Sequence, residues 1–345
     1  SLYWPNHYAH APNSMMAIYQ LLCGNHSEPH GPPITESRPR IDCGSISEIL
    51  TSTGYRAGLF HSGRFSYSNK DRFFRDRGFE PMYDADSIPG GEAFESWSWG
   101  IEEAPTLQAL GRWMGEHTGP KLAVYIPVYP HHPYTVPSSA KKLFDETEPH
   151  IAYRNAVYYV DQMVGALLDE LDEAKVLDDT LLIFVGDHGE GFGEHHGSLT
   201  HGRVLYDEGV HSFVLWYAPG LFDERVVDRR AFGHIDVLPT LLDLLGIEAR
   251  HEHPAHSAAS DARRPLVPVY TGYGHPFFGF VDWPYKFIWN RDRDRVELYD
   301  LLEDPGEKVS IASEHPEAIA RYREAALSAL AGMKKWRDEL PDLKE

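Results

Sequence analysis

The sequence predicts an α/β protein in which helices cover both faces of a mostly parallel central sheet, followed by a small antiparallel sheet and a closing helix. Up to residue 248, apolar runs of strand length alternate with runs of helical periodicity, a pattern typical of a mostly parallel sheet. From residue 265 the strands become short and aromatic. A hydrophobic content of 42% in 345 residues suffices for one large core or two modest ones.

The first elements are two helices and a strand. Apolar residues recur at steps of three and four in 15–23, and 45–53 has a helical pattern that ends at Gly54. Residues 55–60 form the first apolar strand of the predicted sheet.

The next elements alternate. A helix over 105–117 precedes a strand over 121–129, which Pro130 ends. The strongest helical pattern, around 157–171, leads into a strand over 180–185.

This part of the chain closes with one more strand and helix. The strand covers 213–219, and the helix covers 234–246 with its true start near Pro239, because proline suits the first turn of a helix.

A polar segment separates the two predicted parts. Residues 249–264 carry almost no large apolar side chain, which predicts a loop or linker between a core at 1–248 and a smaller part at 265–345. In the smaller part the aromatic strands predict an antiparallel sheet, and 314–338 predicts a closing helix that packs on the core.

Charge and composition exclude several classes of partner. The net charge of −20 repels nucleic acid and anionic lipid. No apolar stretch has the roughly 18–20 residues of a membrane span, and residues 1–10 lack a secretion-signal pattern, so cytoplasm and periplasm both stay open. We expect Cys23 and Cys43 to be structural thiols, although they allow one disulfide.

The end of the strand over 180–185 carries the residues most informative about function. Asp187 and His188 follow it directly, and in such sheets function gathers at the carboxyl ends of strands. A carboxylate and a neutral imidazole suit a divalent cation, whereas the alternative is a loop-capping Asp beside a surface His. Gly186 and Gly189 favour the cation site, since glycine lets backbone approach a ligand closely.

Two further groups of histidines lie in loops. His131 and His132, in "YPHHPY", follow the second strand, where prolines hold them in an extended turn. His201 could donate a hydrogen bond to an anionic ester or act as a general acid. For His195 and His196 we expect solvated loop positions.

Four motifs together resemble the sulfatase family of the alkaline-phosphatase-like superfamily. They are "YPHHPY", "DTLLIFVGDHGEGFGEH" (179–195), "HIDVLPTLL" (234–242) and "ELYDLLEDPGE" (297–307), and they span nearly the whole chain. The resemblance implies an alkaline-phosphatase-like α/β/α sandwich. It also implies a divalent cation as cofactor, calcium first, with manganese, magnesium and zinc as alternatives.

The resemblance implies that Ser14 is the nucleophile. The family carries this residue ten positions before the glycine that closes the following segment, and that glycine is Gly24. The residue pattern alone favours a helix cap, a common use of serine. Both roles are compatible, since a helix N-terminus also favours an alkoxide or a bound anion.

The chain departs from the family pattern near the predicted site. Met16 and Ile18 replace the Pro and Arg that mark the nucleophile for conversion to formylglycine, so we expect unmodified serine at position 14. His61 and Arg64 belong to "HSGR", which replaces "Gly-Lys-Trp-His", and His201 replaces a later lysine. The resemblance therefore implies an anion pocket rebuilt with imidazoles.

The resemblance also implies a role for each candidate residue. Ser14, Asp187 and His188 would bind the cation. Because the family's first strand carries a further pair of metal-binding aspartates and Ser1 falls after it, we expect this chain to bind the cation weakly. The candidate catalytic residues are Ser14, His131 and His201, and the candidate substrate-binding residues are His61, Arg64 and His132.

The leading hypothesis is metal-dependent hydrolysis of a sulfate or phosphate ester of a small molecule, saccharide or lipid, with Ser14 attacking in line. Unmodified serine favours phosphorus, because water or an alcohol can displace a phosphoserine. A phosphodiesterase or a phospho-head-group transferase is therefore an alternative. A non-catalytic binding or scaffold protein is the rival from another class. We expect His234 and Asp236 to anchor the helix near 239–245 rather than bind metal.

Overall fold

The computed structural model describes residues 1–116, 118–248, 255–260 and 266–343. Within these residues the strands, in chain order, are β1 (Leu2–Tyr8), β2 (Arg56–His61), β3 (Phe79–Tyr83), β4 (Lys121–Ile126), β5 (Leu182–Val185), β6 (Gly191–Phe192), β7 (Leu199–Thr200), β8 (His211–Tyr217), β9 (Val226–Val227), β10 (Phe232–Gly233), β11 (Val267–Tyr270), β12 (Phe277–Asp282), β13 (Tyr285–Asn290) and β14 (Arg295–Asp300). The α-helices are α1 (Ser14–Cys23), α2 (Ile34–Ser37), α3 (Ile46–Ser52), α4 (Lys70–Phe74), α5 (Glu103–Glu116), α6 (Pro149–Glu173), α7 (Asp207–Val210), α8 (Val237–Leu245) and α9 (Pro316–Glu339).

The C-terminal strands form the predicted antiparallel sheet. Its order is β11-β12-β13-β14, and every neighbouring pair is antiparallel. α9 packs on this sheet through Tyr322 and Ala326, which share a buried cluster with Phe278. Ala11 and Met16, from the beginning of the chain, lie in the same cluster.

This shared core explains how the chain divides into two compact units. The first unit contains Ser1–Ile46, Leu182–Tyr217 and Glu224–Glu345, and the second contains Ser47–Leu181 and Ala218–Asp223. The division differs from the predicted boundary at residue 248. The C-terminal part belongs to the first unit because its aromatic residues bury the apolar side chains around α1.

The sheet of the first unit is mixed. Its order is β10-β1-β8-β5, with β9 also paired to β1. β1 is parallel to β10 and β9, whereas β8 is antiparallel to both β1 and β5. The chain from β5 to β8 passes only through the β6–β7 hairpin and the four-residue α7, so it lacks the long crossover helix that a parallel strand needs.

The second unit has the parallel sheet that the sequence predicts. Its order is β3-β2-β4, and β2 is parallel to both neighbours. α5 and α6 pack against each other beside it. The ring centroids of Phe60 on β2 and Trp113 on α5 lie 5.8 Å apart.

Several predicted boundaries shift. The strand predicted over 121–129 ends at Ile126. The helix predicted over 234–246 begins with a 3₁₀ turn, continues as α8 and ends at Gly246, whose φ of 64° is left-handed and favours glycine. Most of the predicted linker at 249–264 lies outside the described residues.

Two findings concern the cysteines and whether any helix could span a membrane. Cys23 and Cys43 form a disulfide with a Cα–Cα distance of 5.6 Å, so the expectation of two structural thiols is wrong. Spacing alone could not decide this, since pairing depends on how the chain after α1 turns back. None of the helices that the structure describes has the length and apolarity needed to cross a bilayer.

Candidate active site

Ser14 is the first residue of α1, but it does not cap the helix. Asn13 is the N-cap, and its side-chain oxygen accepts hydrogen bonds from the backbone N–H groups of Met15 and Met16 at 3.1 Å each. The Ser14 hydroxyl lies 3.0 Å from Nε2 of His188. The capping role that the residue pattern favours for Ser14 therefore belongs to Asn13.

The two positions that depart from the family signature lie in the core. Met16 is fully buried and shares a cluster with Tyr270 and Phe278, and Ile18 is also buried. Their apolar side chains anchor α1 and so fix Ser14 at its first turn.

Asp187 and His188 form the corner that follows β5. Nδ1 of His188 lies 2.7 Å from the carbonyl oxygen of Gly189, which can only accept, so Nδ1 carries the proton and Nε2 presents a lone pair. That lone pair faces the Ser14 hydroxyl, which therefore donates. The Asp187 carboxylate lies 3.4 Å from the same nitrogen.

The surroundings favour the charged form of Asp187. Burial disfavours the charged carboxylate, but the neighbouring His188, the Ser14 hydroxyl and the His188 backbone N–H together lower the pKa of Asp187 below its usual value. Asp187 therefore provides a negative charge at neutral pH, next to the candidate nucleophile.

The glycines at this corner have a local structural reason. A Cβ at Gly189 would collide with the carbonyl oxygen of Glu208, and a Cβ at Gly186 would lie 2.6 Å from the Ser212 hydroxyl. The close approach that the sequence predicts is therefore to the protein's own chain.

His201 lies beside this corner and has a partner that the sequence did not suggest. Its ring centroid is 4.1 Å from that of His188, and its Nδ1 lies 2.9 Å from a carboxylate oxygen of Glu190. Nδ1 of His201 therefore donates to Glu190, leaving Nε2 available. The other oxygen of Glu190 is buried and has no hydrogen-bond partner among the described residues. The only sequence signal for Glu190 is its position in "DHGE".

His195 is held by side chains, so the expectation of a solvated loop position is wrong for it, whereas His196 is exposed as expected. The His195 ring stacks on Tyr206 at 3.8 Å, and its Nδ1 lies 2.8 Å from Glu208. Nε2 of His196 lies 3.0 Å from the Tyr206 hydroxyl. These contacts fix the loop between β6 and β7. The sequence pattern of the loop does not show them, because their partners Tyr206 and Glu208 lie beyond β7.

His61 and Arg64 lie in the second unit. The side chain of each contacts other residues of the protein. His61 is buried, its Nδ1 bonds the Ile126 carbonyl at 2.7 Å and its Nε2 lies 2.8 Å from the Lys70 amine. Burial, together with the neighbouring Lys70 charge, lowers the pKa of His61 to about 3. Arg64 bonds Asp86 and the carbonyl oxygens of Trp97 and Ser98. Both side chains have partners within the protein, and their contact with substrate stays a prediction.

Lys70 is a residue of the second unit that the sequence did not single out. Its side chain is buried, and burial lowers the pKa of its amine to about 8. Its position in a loop rich in aromatic and charged residues gave no signal.

His131 and His132 follow β4 in the second unit, as predicted. Both Tyr129–Pro130 and His132–Pro133 are cis peptides. The His131 ring lies 4.3 Å from the ring of Trp99, and its Nδ1 bonds the His132 carbonyl at 2.7 Å. His132 is exposed. Their roles in catalysis and substrate binding stay predictions.

The donors at Ser14 suit a divalent cation in kind. They are the Asp187 carboxylate, the lone pair of His188 Nε2 and the Ser14 hydroxyl, all within hydrogen-bonding or ion-pair distance of each other. Across the described residues, no group of three or more His, Cys, Asp or Glu side chains is arranged to hold a metal ion. Cation binding at these donors, and its strength, stay predictions.

Comparison with known proteins bears on this site. The family model described as Sulfatase matches residues 1–247, which include Ser14, Asp187, His188 and His201. The chain belongs to the sulfatase family. The family prediction from the four motifs is therefore confirmed.

Relatives of this sulfatase-family chain differ in their activities. It is 28% identical over 215 residues to a choline-sulfatase of Rhizobium meliloti, covering 57% of this chain and 41% of that one. It is 23% identical to a lipoteichoic acid synthase of Staphylococcus saprophyticus, covering 76% of this chain and 41% of that one. The chain spans about two fifths of the length of these curated relatives.

A solved structure supports the fold. A protein in the alkaline phosphatase superfamily from Vibrio parahaemolyticus superimposes with a TM-score of 0.76 at 19% identity, covering 97% of this chain and 79% of that one. The predicted alkaline-phosphatase-like α/β fold is confirmed.

Proposed function

We propose that this chain hydrolyses an anionic ester with Ser14 as nucleophile, and that the ester is a phosphate ester of a small molecule, saccharide or lipid. The observation that carries the proposal is the hydrogen bond from the Ser14 hydroxyl to the lone pair of His188, 3.0 Å long. Asn13 performs the capping that would otherwise occupy this hydroxyl. A serine hydroxyl with a proton acceptor in contact is the arrangement that nucleophilic catalysis needs.

The first step forms a bond from Ser14 Oγ to phosphorus and breaks the bond from phosphorus to the leaving alcohol. His188 accepts the Ser14 proton, and the Asp187 carboxylate beside it stabilises the positive charge that results. In its doubly protonated form His201, whose Nδ1 donates to Glu190, gives its Nε2 proton to the oxygen of the leaving alcohol. Water or an acceptor alcohol then displaces the phosphoserine and restores the hydroxyl.

A divalent cation held by Asp187, His188 and Ser14 would supply positive charge that favours the Ser14 alkoxide. The N-terminus of α1 acts in the same direction, because its backbone dipole favours negative charge at its first turn. Asp187, His188 and Ser14 are thus proposed for the metal role that the family resemblance implies.

Two observations favour phosphate over sulfate. Buried Met16 and Ile18 occupy the positions of the formylglycine signature, so Ser14 is proposed to stay an unmodified serine. A relative over 76% of the chain is named a lipoteichoic acid synthase. Transfer of a phospho-head group to an alcohol is accordingly the second candidate, and it uses the same phosphoserine.

The test is a parallel assay with an aryl phosphate, an aryl sulfate and a phosphodiester, with and without an acceptor alcohol. We expect turnover of a phosphate ester that Ser14→Ala abolishes. Ser37→Ala is the matched control, since the hydroxyl of Ser37, at the end of α2, bonds the Pro33 carbonyl. Full activity in Ser14→Ala contradicts the assigned nucleophile. Binding of the esters without any turnover supports the rival, a non-catalytic binding protein.

His131 and His132 are proposed to act on the substrate, as the resemblance implies. We expect His131→Ala to lower kcat and His132→Ala to raise KM. Unchanged kcat and KM in both variants would remove these residues from the proposal.

A further inference from the structure

Two buried histidines lie behind the Asp187–His188 corner. His7 is on β1 and His234 directly follows β10, and the parallel pairing of these strands places His7 opposite Phe232. Both rings are fully buried, and they stack with centroids 4.7 Å apart. Neither residue touches the Ser14 hydroxyl, so the mechanism above leaves them without a role.

The hydrogen bonds of this pair have a definite direction. Nε2 of His234 lies 2.7 Å from the carbonyl oxygen of Asp187, which can only accept, so Nε2 of His234 carries a proton. Nδ1 of His234 lies 3.1 Å from Nε2 of His7. In neutral His234 this Nδ1 is an acceptor, so Nε2 of His7 donates to it.

Full burial disfavours the charged form of both rings. The remaining nitrogen, Nδ1 of His7, is a buried lone pair without a hydrogen-bond partner in the part of the chain that the structure describes. A buried polar atom without a hydrogen bond destabilises the fold. A histidine pair with a purely structural role would not require such an atom.

His234 and Asp236 hold the start of α8 in different ways. Oδ2 of Asp236 accepts from the Gly233 backbone N–H at 3.1 Å, and the Thr240 hydroxyl bonds the Asp236 carbonyl at 2.6 Å. Nε2 of His234 instead bonds the Asp187 carbonyl and so ties the turn before α8 to the chain that follows β5. Both residues therefore anchor this helix, as expected.

We propose that His234, oriented by His7, is a positioning residue. It fixes the orientation of the Asp187–His188 peptide so that Nε2 of His188 lies within hydrogen-bond distance of the Ser14 hydroxyl. This inference rests on the proposed function of Ser14. The Asp187 carbonyl belongs to the peptide that joins the two residues, so its hydrogen bond fixes the direction of both side chains. A change of about 1 Å at such a corner can cost a hundredfold in rate.

The first test needs no activity. In protein with 15N-labelled histidine rings, NMR should find the proton on Nε2 in both His7 and His234. His234→Phe, which keeps a ring but loses the donor, should move the His188 ring signals toward those of Ser14→Ala. His234→Gln, which keeps an N–H, should leave them near the wild-type positions. A proton on Nδ1 of His234, or unchanged His188 signals in His234→Phe, overturns the proposal.

His211→Phe is the matched control for this experiment. His211 also bonds a backbone carbonyl of the same sheet, that of Pro5, at 2.7 Å. It should leave the His188 signals unchanged. If it shifts them as much as His234→Phe does, the effect is a general loosening of the sheet and the proposal is contradicted.

The second test uses turnover of the best ester. His234→Phe should lower kcat by roughly tenfold to a hundredfold with little change in KM, His7→Phe should lower it less, and His234→Gln should recover most of it. Wild-type kcat in folded His234→Phe overturns the positioning role. Wild-type protein that turns over no ester contradicts the proposed function instead, and the NMR result then decides the positioning role alone.

Discussion

Asn13 caps α1, and Ser14 provides the candidate nucleophile, although a serine at a helix start often does both. Asn13 accepts the N–H groups at the start of α1, and the Ser14 hydroxyl is left for His188. Glu190 similarly accepts a hydrogen bond from Nδ1 of His201, so that Nε2 is the nitrogen directed away from Glu190. At the scale of single residues, the site is organised by neighbours that orient the candidate groups rather than by the groups themselves.

Glu190→Gln should reveal the role of His201 as a proton donor. We expect kcat to fall roughly tenfold or more with an alkyl leaving group and much less with an activated aryl group, because a good leaving group needs little protonation. His201→Ala should show the same dependence with a larger loss. The measurement is kcat for a series of esters that differ in leaving-group pKa.

Glu194→Gln is the control, since Glu194 lies on the other side of β6 and accepts from the Phe192 backbone N–H. Equal losses in Glu190→Gln for alkyl and aryl esters would contradict a general acid at His201.

At the scale of elements, the sequence predicted those helices and strands whose pattern is local. The helices α1, α5 and α6 and the aromatic strands β12 to β14 follow from periodicity. β1 was missed because Pro5 interrupts it, and the register of β1 against β8 shifts between Trp4 and His7, where a strand tolerates proline. The direction of β8 could not be predicted, since it depends on pairing with distant strands.

The disulfide fixes the end of α1 that lies opposite Ser14. It closes a loop with a sequence separation of 20 residues, and such loops contribute about 2–4 kcal/mol by restricting the unfolded chain. Replacing both Cys23 and Cys43 by serine should lower the free energy of unfolding by that amount, as measured by urea denaturation. A reductant should lower the wild-type value to the same level and leave the double variant unchanged. Titratable thiols in unreduced wild-type protein would contradict the bond.

α5 begins with a buried carboxyl group that couples stability to pH. Burial raises the pKa of Glu103 to about 7, against hydrogen bonds from Tyr125, Ser62 and the backbone N–H groups of Tyr129 and Val128. The folded chain therefore binds this proton more tightly than the unfolded chain does. Its contribution to stability is complete below pH 4.5 and is lost as pH rises to about 7.

Glu103→Gln should remove this dependence. The free energy of unfolding of the variant, relative to wild type, should rise between pH 4.5 and pH 7 by roughly 3 kcal/mol at most. Denaturation curves of both proteins at a series of pH values measure this difference. Glu116→Gln, at the exposed end of α5, should leave the pH dependence unchanged. A difference that does not vary with pH would show that Glu103 is charged throughout.

At the scale of the whole molecule, packing between distant segments decides what the sequence left open. The C-terminal strands share a core with α1, so the predicted boundary at 248 does not separate compact units. The Asp187–His188 corner and Ser14 were predicted by motif, and they meet as expected. Glu190, His7 and His234 were not predicted to act, because their roles follow from contacts that no local pattern encodes.

Removal of metal ions tests the site as a whole. The lone pair of His188 Nε2 serves one partner at a time, the Ser14 proton or a cation. Because His188 is the proposed base, we expect turnover to persist after dialysis against a chelator. Since the donors provide one carboxylate, calorimetry should find weak binding of calcium or manganese. Loss of turnover on chelation, restored by millimolar calcium or manganese, would assign the lone pair to the cation and contradict His188 as base.

In the proposed mechanism, Ser14 becomes covalently attached to the substrate's phosphoryl group. This intermediate can be detected by mass spectrometry of the peptide that contains Ser14, after rapid acid quench during turnover of a phosphate ester. We expect phosphoserine at position 14 that appears before product and is absent from Ser14→Ala. Turnover at the same rate with an unmodified Ser14 peptide at every quench time would contradict it.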